Sequence, residues 1–164
     1  MENISSENSD VKGRRGPLIT GIKDGLREVG IQLSLLNHRV GARLELRDVD
    51  LDCLNLIHQH GPISPSALAR RAGLHPATMT GVLDRLERHG WVARDRDPDD
   101  RRAVLVQARR ERNSELFGLL SGMNDAMSGI LAQYDQAELK LLADFLRRTA
   151  DAGRTASDEL AEDR

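Results

Sequence analysis

The 164-residue chain carries 24 Lys+Arg against 26 Asp+Glu, a net charge of −2, and is 39% hydrophobic but only 2% aromatic. That apolar content supports one domain, or two small lobes sharing a core, and excludes wholesale disorder, whereas Trp91, Phe117, Tyr134 and Phe145 are too few for a surface that grips single strands by stacking. The lone Cys53 excludes an internal disulfide and a multi-cysteine zinc site, no apolar run reaches membrane-spanning length, and the polar N-terminus is not a signal peptide, so a soluble, cytoplasmic protein is expected.

Residues 1–17, rich in Ser, Asn, Glu and Gly, read as a flexible tail. A long helix is expected from Leu18, because Ile22, Leu26, Val29, Leu33, Leu36, Val40 and Leu44 recur at steps of three and four. Gly25, Gly30 and Gly41 weaken it by about 1 kcal/mol each relative to Ala, so its seam needs a packing partner. A second helix carries Leu51, Leu54 and Ile57, with Asp48 or Asp50 available as its cap and Gly61-Pro62 as its end. Ser64 and Pro65 open a third as N-cap and first residue; Leu68 and Ala69 face inward and Gly73 closes it.

Only Leu74 and His75 separate that stop from the next helix, Pro76 to His89. Its apolar residues Met79, Val82, Leu83 and Leu86 form one i, i+3, i+4, i+7 face, and Gly90 suits a left-handed stop. The opposite face carries Thr78, Gly81, Asp84, Arg85 and Arg88. Two short helices with so tight a link form a helix-turn-helix, and the second fits a major groove. Beyond Gly90, residues 91–94 and 103–107 are β-prone and flank a charged turn over 95–102, a hairpin that serves as a wing.

A helix from about Arg110 carries the stripe Leu116, Leu119, Leu120, Met123, Met127, Ile130, Leu131 and Tyr134. Asp135 and Glu138 form a capping box for the last helix, whose Leu139, Leu142, Leu146 and Ala150 share a side; residues 153–164 read as frayed. The fold class is mainly α with a small β-hairpin wing: a winged helix-turn-helix at 48–109, between helical segments at 18–47 and 110–152. Charge follows this plan. Residues 61–112 hold 11 Arg and 7 Asp/Glu, whereas residues 113–164 hold 5 Lys/Arg and 10 Asp/Glu. Basic charge therefore gathers where phosphate contacts need it.

Residues 61–106, GPISPSALARRAGLHPATMTGVLDRLERHGWVARDRDPDDRRAVLV, resemble the MarR family of bacterial transcription regulators. The matching features are Leu68-Ala69, the DRLE of residues 84–87, Gly90, Arg94 and the wing signature Asp-x-Arg at Asp100 and Arg102. The resemblance implies a homodimer joined by its first and last two helices. It implies one winged helix-turn-helix per subunit, a pseudo-palindromic operator, and release by a small aromatic or phenolic effector bound between the helical lobe and the winged domains. Two departures stand out. Ala108 and Arg109 replace a Leu-Thr that caps the following helix, so that helix would start late or rely on Asn113 or Ser114. Gly81 occupies a position that is often large and basic, which either removes a base contact or lets the helix approach DNA closely.

The residues assigned to the DNA-facing surface are Ser64, His75, Pro76, Thr78, Thr80, Gly81, Arg85, Arg101 and Arg102, with Asp100 supporting the wing. His75 and Pro76 sit where free backbone N–H groups favour an anion. Thr78 and Thr80 can meet phosphates or base edges, or bond back to their own helix. Arg85 can reach a phosphate, or pair with Asp84 or a wing acid. Arg102 suits the minor groove, oriented by Asp100, with Arg101 on a neighbouring phosphate; the alternative is a salt-bridged turn. Cys53 is read as buried structure rather than a redox switch, and His58 and His60 as solvated or capping residues rather than metal ligands. No cofactor is expected. The absence of G-x-S-x-G, HExxH or a Gly-rich phosphate loop argues against an enzyme. The reading is a homodimeric, DNA-binding transcription regulator, a repressor, whose partner is double-stranded DNA. The alternatives are a thiol-based regulator using Cys53 and a winged helix used only for protein contact.

Overall fold

The computed structural model describes residues 4–97, 100 and 103–162, with side chains between residues 15 and 160. Its elements are α1 (Ile4–Leu44), α2 (Asp48–His60), α3 (Pro65–Ala72), α4 (Pro76–Arg88), β1 (Val92–Arg96), β2 (Val104–Ala108), α5 (Arg110–Leu131) and α6 (Gln136–Glu162). The core lies where α2, α3, α4 and the hairpin meet the C-terminal end of α1 and the start of α5. It is built from Leu51, Leu54, Ile57, Leu68, Met79, Val82, Leu83, Leu86, Trp91, Val92, Val106 and Leu116, all essentially inaccessible. The stripes read from the sequence in α2, α3 and α4 are the buried ones.

The stops follow elementary backbone chemistry. Gly73 and Gly90 adopt φ of 62° and 74°. Leu74 N–H donates to the Ala69 carbonyl and Trp91 N–H to that of Leu86, so the last turns of α3 and α4 are closed. Ser64 Oγ accepts from Ala67 N–H, and Pro65 begins α3. At the end of α1 the same closure, Leu46 N–H to the Gly41 carbonyl, places a non-glycine residue, Glu45, at φ 56°. A Cβ on Gly41 would lie 2.9 Å from the Leu46 carbonyl oxygen. Gly41→Ala is therefore expected to lower unfolding free energy by about 1–2 kcal/mol despite its helix preference, measurable by urea denaturation.

β1 and β2 pair antiparallel from Val92↔Ala108 to Arg96↔Val104. Ile63 adds an isolated bridge to Val106, which ties the loop before α3 to the hairpin. β1 reaches further towards the tip than the sequence predicts, with Asp95 and Arg96 as strand residues, while Trp91 lies before it and β2 starts one residue later than expected, at Val104; pairing ends where Asp97 N–H meets the Ala103 carbonyl.

Several boundaries differ from expectation. α1 begins at Ile4, taking in most of the segment read as a tail and accommodating Pro17. Propagation adds one hydrogen bond per residue once a helix exists, so a polar extension needs no apolar stripe to continue it. α6 runs to Glu162, through the segment read as frayed. Arg47, without a side-chain bond, is the N-cap of α2; Asp48 and Asp50 lie inside its first turn. α5 starts at Arg110 without help from Asn113 or Ser114: its N-cap Arg109 makes no side-chain cap, but its N–H donates to the Trp91 carbonyl. The Asp135–Glu138 capping box is present, with Asp135 Oδ1 accepting from Ala137 and Glu138 N–H and Glu138 accepting from Asp135 N–H.

The long seams divide. Val40 and Leu44 of α1 and Leu116 of α5 join the core. Ile22, Leu26, Val29 and Leu33, then Leu119, Met123, Met127 and Ile130, then Leu139, Phe145 and Leu146 of α6, are exposed in the single chain.

Candidate nucleic-acid interface

α4 rests on α2 and α3 through Met79, Val82, Leu83 and Leu86 and turns Thr78, Thr80, Asp84 and Arg88 outward. His75 is its N-cap: the ring Nδ1 accepts from Ala77 N–H at 3.3 Å, so His75 is spent on the helix end while remaining exposed. Pro76 occupies the first turn. The Thr80 hydroxyl donates to the Pro76 carbonyl at 3.1 Å, the back-bonded of its two expected roles. Thr78 is exposed on the outer face, and Ser64 is half-buried as the cap of α3.

Arg85 takes neither of the protein partners expected for it. Its Nε and Nη2 donate to the two oxygens of Asp50, at 3.0 and 2.6 Å. The Asp50 side chain is 3% exposed and that of Arg85 28%. Hydrogen bonding to Asp50, ahead of all other influences, pushes the guanidinium pKa up. A signal for this pair was present: Asp50 precedes Cys53, Leu54 and Ile57 by three, four and seven residues, so it shares their buried stripe. A carboxylate there demands a cation. Asp84, meanwhile, pairs with Arg94 on β1 at 2.6 Å, and Glu87 approaches the same guanidinium at 3.6 Å. In the DRLE segment, Leu86 is thus core, Asp84 and Glu87 hold the hairpin to the helix, and Arg85 anchors the helix to α2.

A second clasp joins this unit to α5. The Arg112 guanidinium lies 3.9 Å from the centroid of the Trp91 ring, donates to the His89 carbonyl at 2.6 Å and pairs with Glu115 at 2.7 Å. On the wing, Gln107 donates to Asp95 across the strands at 2.6 Å, and Ala103 N–H donates to the Asp100 carbonyl. Arg101 and Arg102 lie outside the described residues.

His58 is half-buried rather than fully solvated, and it caps no helix end. Its ring lies 5.6 Å from that of Phe117, and burial pushes its pKa down. His38 meets Asp48 at 3.1 Å. Among the described residues no cluster of three or more His, Cys, Asp or Glu suits a metal, and no helix is long and apolar enough to cross a membrane. Cys53 is fully buried, and burial, then Asp50 and Asp52, push its thiol up to about 11. At pH 8 about one thiol in a thousand would be thiolate, which opposes the redox reading. The folded protein is expected to resist a thiol-reactive dye at pH 8 and to react fully once denatured.

Residues 46–104 match the MarR family. The HTH-type transcriptional regulator YcgE of Bacillus subtilis is 28% identical over 125 residues, spanning 76% of this chain and 81% of that protein. A crystal structure of MarR superposes with a TM-score of 0.52 at 26% identity, over 80% of this chain and 96% of the other. Over its winged helix-turn-helix the chain is similar to the MarR family. The HTH-type transcriptional repressor YetL of B. subtilis is 32% identical over 90 residues, or 52% of this chain and 54% of YetL. Within the family pattern, Gly81 is the departure that bears on the interface: it is half-buried, and a Cβ there would lie 3.5 Å from Arg85 Nη1, an ordinary contact.

Proposed function

We propose that the protein is a homodimeric repressor that reads a pseudo-palindromic DNA operator and is released by a small aromatic or phenolic effector. The observation that carries this reading is the exposed apolar surface of α1, α5 and α6 next to a fully packed winged helix-turn-helix. A stripe such as Leu119, Met123, Met127 and Ile130 is costly in water, and a second copy supplies the same stripe in return. Residues 18–47 and 110–152 form the dimerisation region, residues 48–109 the DNA-binding unit, and residues 1–17 and 153–164 peripheral extensions. Two α4 helices, spaced about one helical turn of DNA apart, enter successive major grooves. Thr78 faces the bases, while the α4 N-terminus at His75 and Pro76 and the α3 cap at Ser64 approach phosphates. Thr80 offers its methyl, and Gly81 permits close approach. Arg101 and Arg102 of the wing engage a phosphate and the minor groove, with Asp100 in support. An effector seated between the helical region and the winged units favours the spacing that fits DNA less well.

The test is a mobility-shift titration on the DNA upstream of the protein's own gene, across a salt series. Repressor binding requires sequence preference and a steep loss of affinity with salt. A winged helix used only for protein contact would show neither. In the same assay Arg102→Ala is expected to weaken operator binding by about 1–3 kcal/mol without unfolding the protein. Wild-type affinity in that variant would remove Arg102 from the interface.

A further inference from the structure

The geometry points to Arg85 as a base-reading residue whose guanidinium is held in place by Asp50 and presented through its remaining nitrogen, Nη1, across Gly81. This deepens the reading of the chain as a DNA-binding regulator and rests on it. Nε and Nη2 chelate the Asp50 carboxylate side-on, so two of the three guanidinium nitrogens are fixed. Nη1 has no hydrogen-bond partner among the described residues. It lies 3.5 Å from the place a Cβ would occupy on Gly81. Helical side chains lean over the turn that precedes them, and Gly81 is one turn before Arg85. Thr78, Gly81 and Arg85, at i, i+3 and i+7, share one stripe of α4. The guanidinium edge therefore stands where a side chain at position 81 would stand, beside Thr78 on the outward surface.

The two residues explain each other. With a long side chain at 81, Nη1 would be covered. Without Asp50, Arg85 would be one more mobile cation, attracted to any phosphate. Paired with the carboxylate, it loses most of its value as a phosphate contact and keeps directional N–H donors in a fixed rotamer. Such a donor discriminates acceptors on a base edge, above all N7 and O6 of guanine. Asp50 is then a positioning residue for specificity, set in the floor of the reader and out of reach of DNA. Neighbouring groups leave this role to Arg85: the Thr80 hydroxyl is bonded to Pro76, and Asp84 to Arg94.

The experiment is selection of binding sites from randomised duplexes by the full-length protein, followed by titration of the selected duplex and its single-position variants. The proteins compared are wild type, Arg85→Lys, Asp50→Asn and Gly81→Ala, each with its thermal midpoint measured. Lysine keeps the charge but not the side-on chelate. The expected result is that Arg85→Lys and Asp50→Asn lose preference by about tenfold at the same base pair of each half-site, and keep it elsewhere. Gly81→Ala, which retains the ion pair, weakens preference at that base pair with an equal or higher midpoint. If wild type selects a site and the folded variants keep its preference at every position, or lose affinity uniformly, Arg85 is only a strut and the inference is overturned. If Asp50→Asn fails to fold, Arg85→Lys and Gly81→Ala decide. If wild type selects no duplex, the DNA-binding reading falls first and takes this one with it.

Discussion

Charging the α5 stripe with the double substitution Met127→Glu/Ile130→Glu is expected to yield a monomer that no longer binds operator DNA. Both side chains are exposed in the single chain, so neither change removes a contact from the winged core. In the proposed dimer both are covered, and burying carboxylates without partners costs several kcal/mol. That raises the dissociation constant by about a thousandfold or more. Loss of DNA binding follows because a single reader has half the contacts and no fixed spacing. Light scattering behind a sizing column measures the mass. The single tryptophan, Trp91, buried beneath Arg112, reports whether the winged unit stays folded, since its emission should not move. A double variant that remains dimeric would mean that this stripe is not the interface.

Arg85→Ala is expected to be the most destabilising change among the polar residues of α4, at about 3 kcal/mol. It leaves Asp50 buried beneath the helix without a cation, and a stranded carboxylate costs more than the pair contributes. The double variant Arg85→Ala/Asp50→Ala should recover part of the loss, because it removes the charge along with its partner. Urea unfolding of the three proteins at one fixed concentration separates these terms, since stability of a dimer depends on concentration. If the double variant is no more stable than Arg85→Ala, the pair is not what holds α4 to α2.

Legibility in the sequence followed the range of the interaction. The stripes of α2, α3 and α4, the caps at Ser64 and Asp135, and the glycine stops at 73 and 90 depend on residues within seven positions of one another. Periodicity and turn chemistry therefore exposed them. The Asp50–Arg85 pair spans 35 residues and Arg112–Trp91 spans 21, and neither has a local signature. Asp50 was detectable only as a carboxylate on an apolar face. An acid at a helix start more commonly serves as a cap, so local chemistry points to that role first. The extents of α1 and α6 were missed for another reason: polar helix ends carry no stripe, and cooperative extension sets their length. Of the DNA-facing residues, Thr78 was placed on the outer face by spacing alone, while the fate of Thr80 and Arg85 depended on which of several chemically reasonable partners lay nearest. The wing arginines at 101 and 102 came from the motif and stand outside the described residues.

The most direct measurement is sedimentation equilibrium of the full-length protein with a duplex carrying its own footprint, at low and high salt. Two chains per duplex are expected, dissociating together as salt rises, with the protein already a dimer without DNA. A single chain in free solution, or no association with the duplex at low salt, would contradict that.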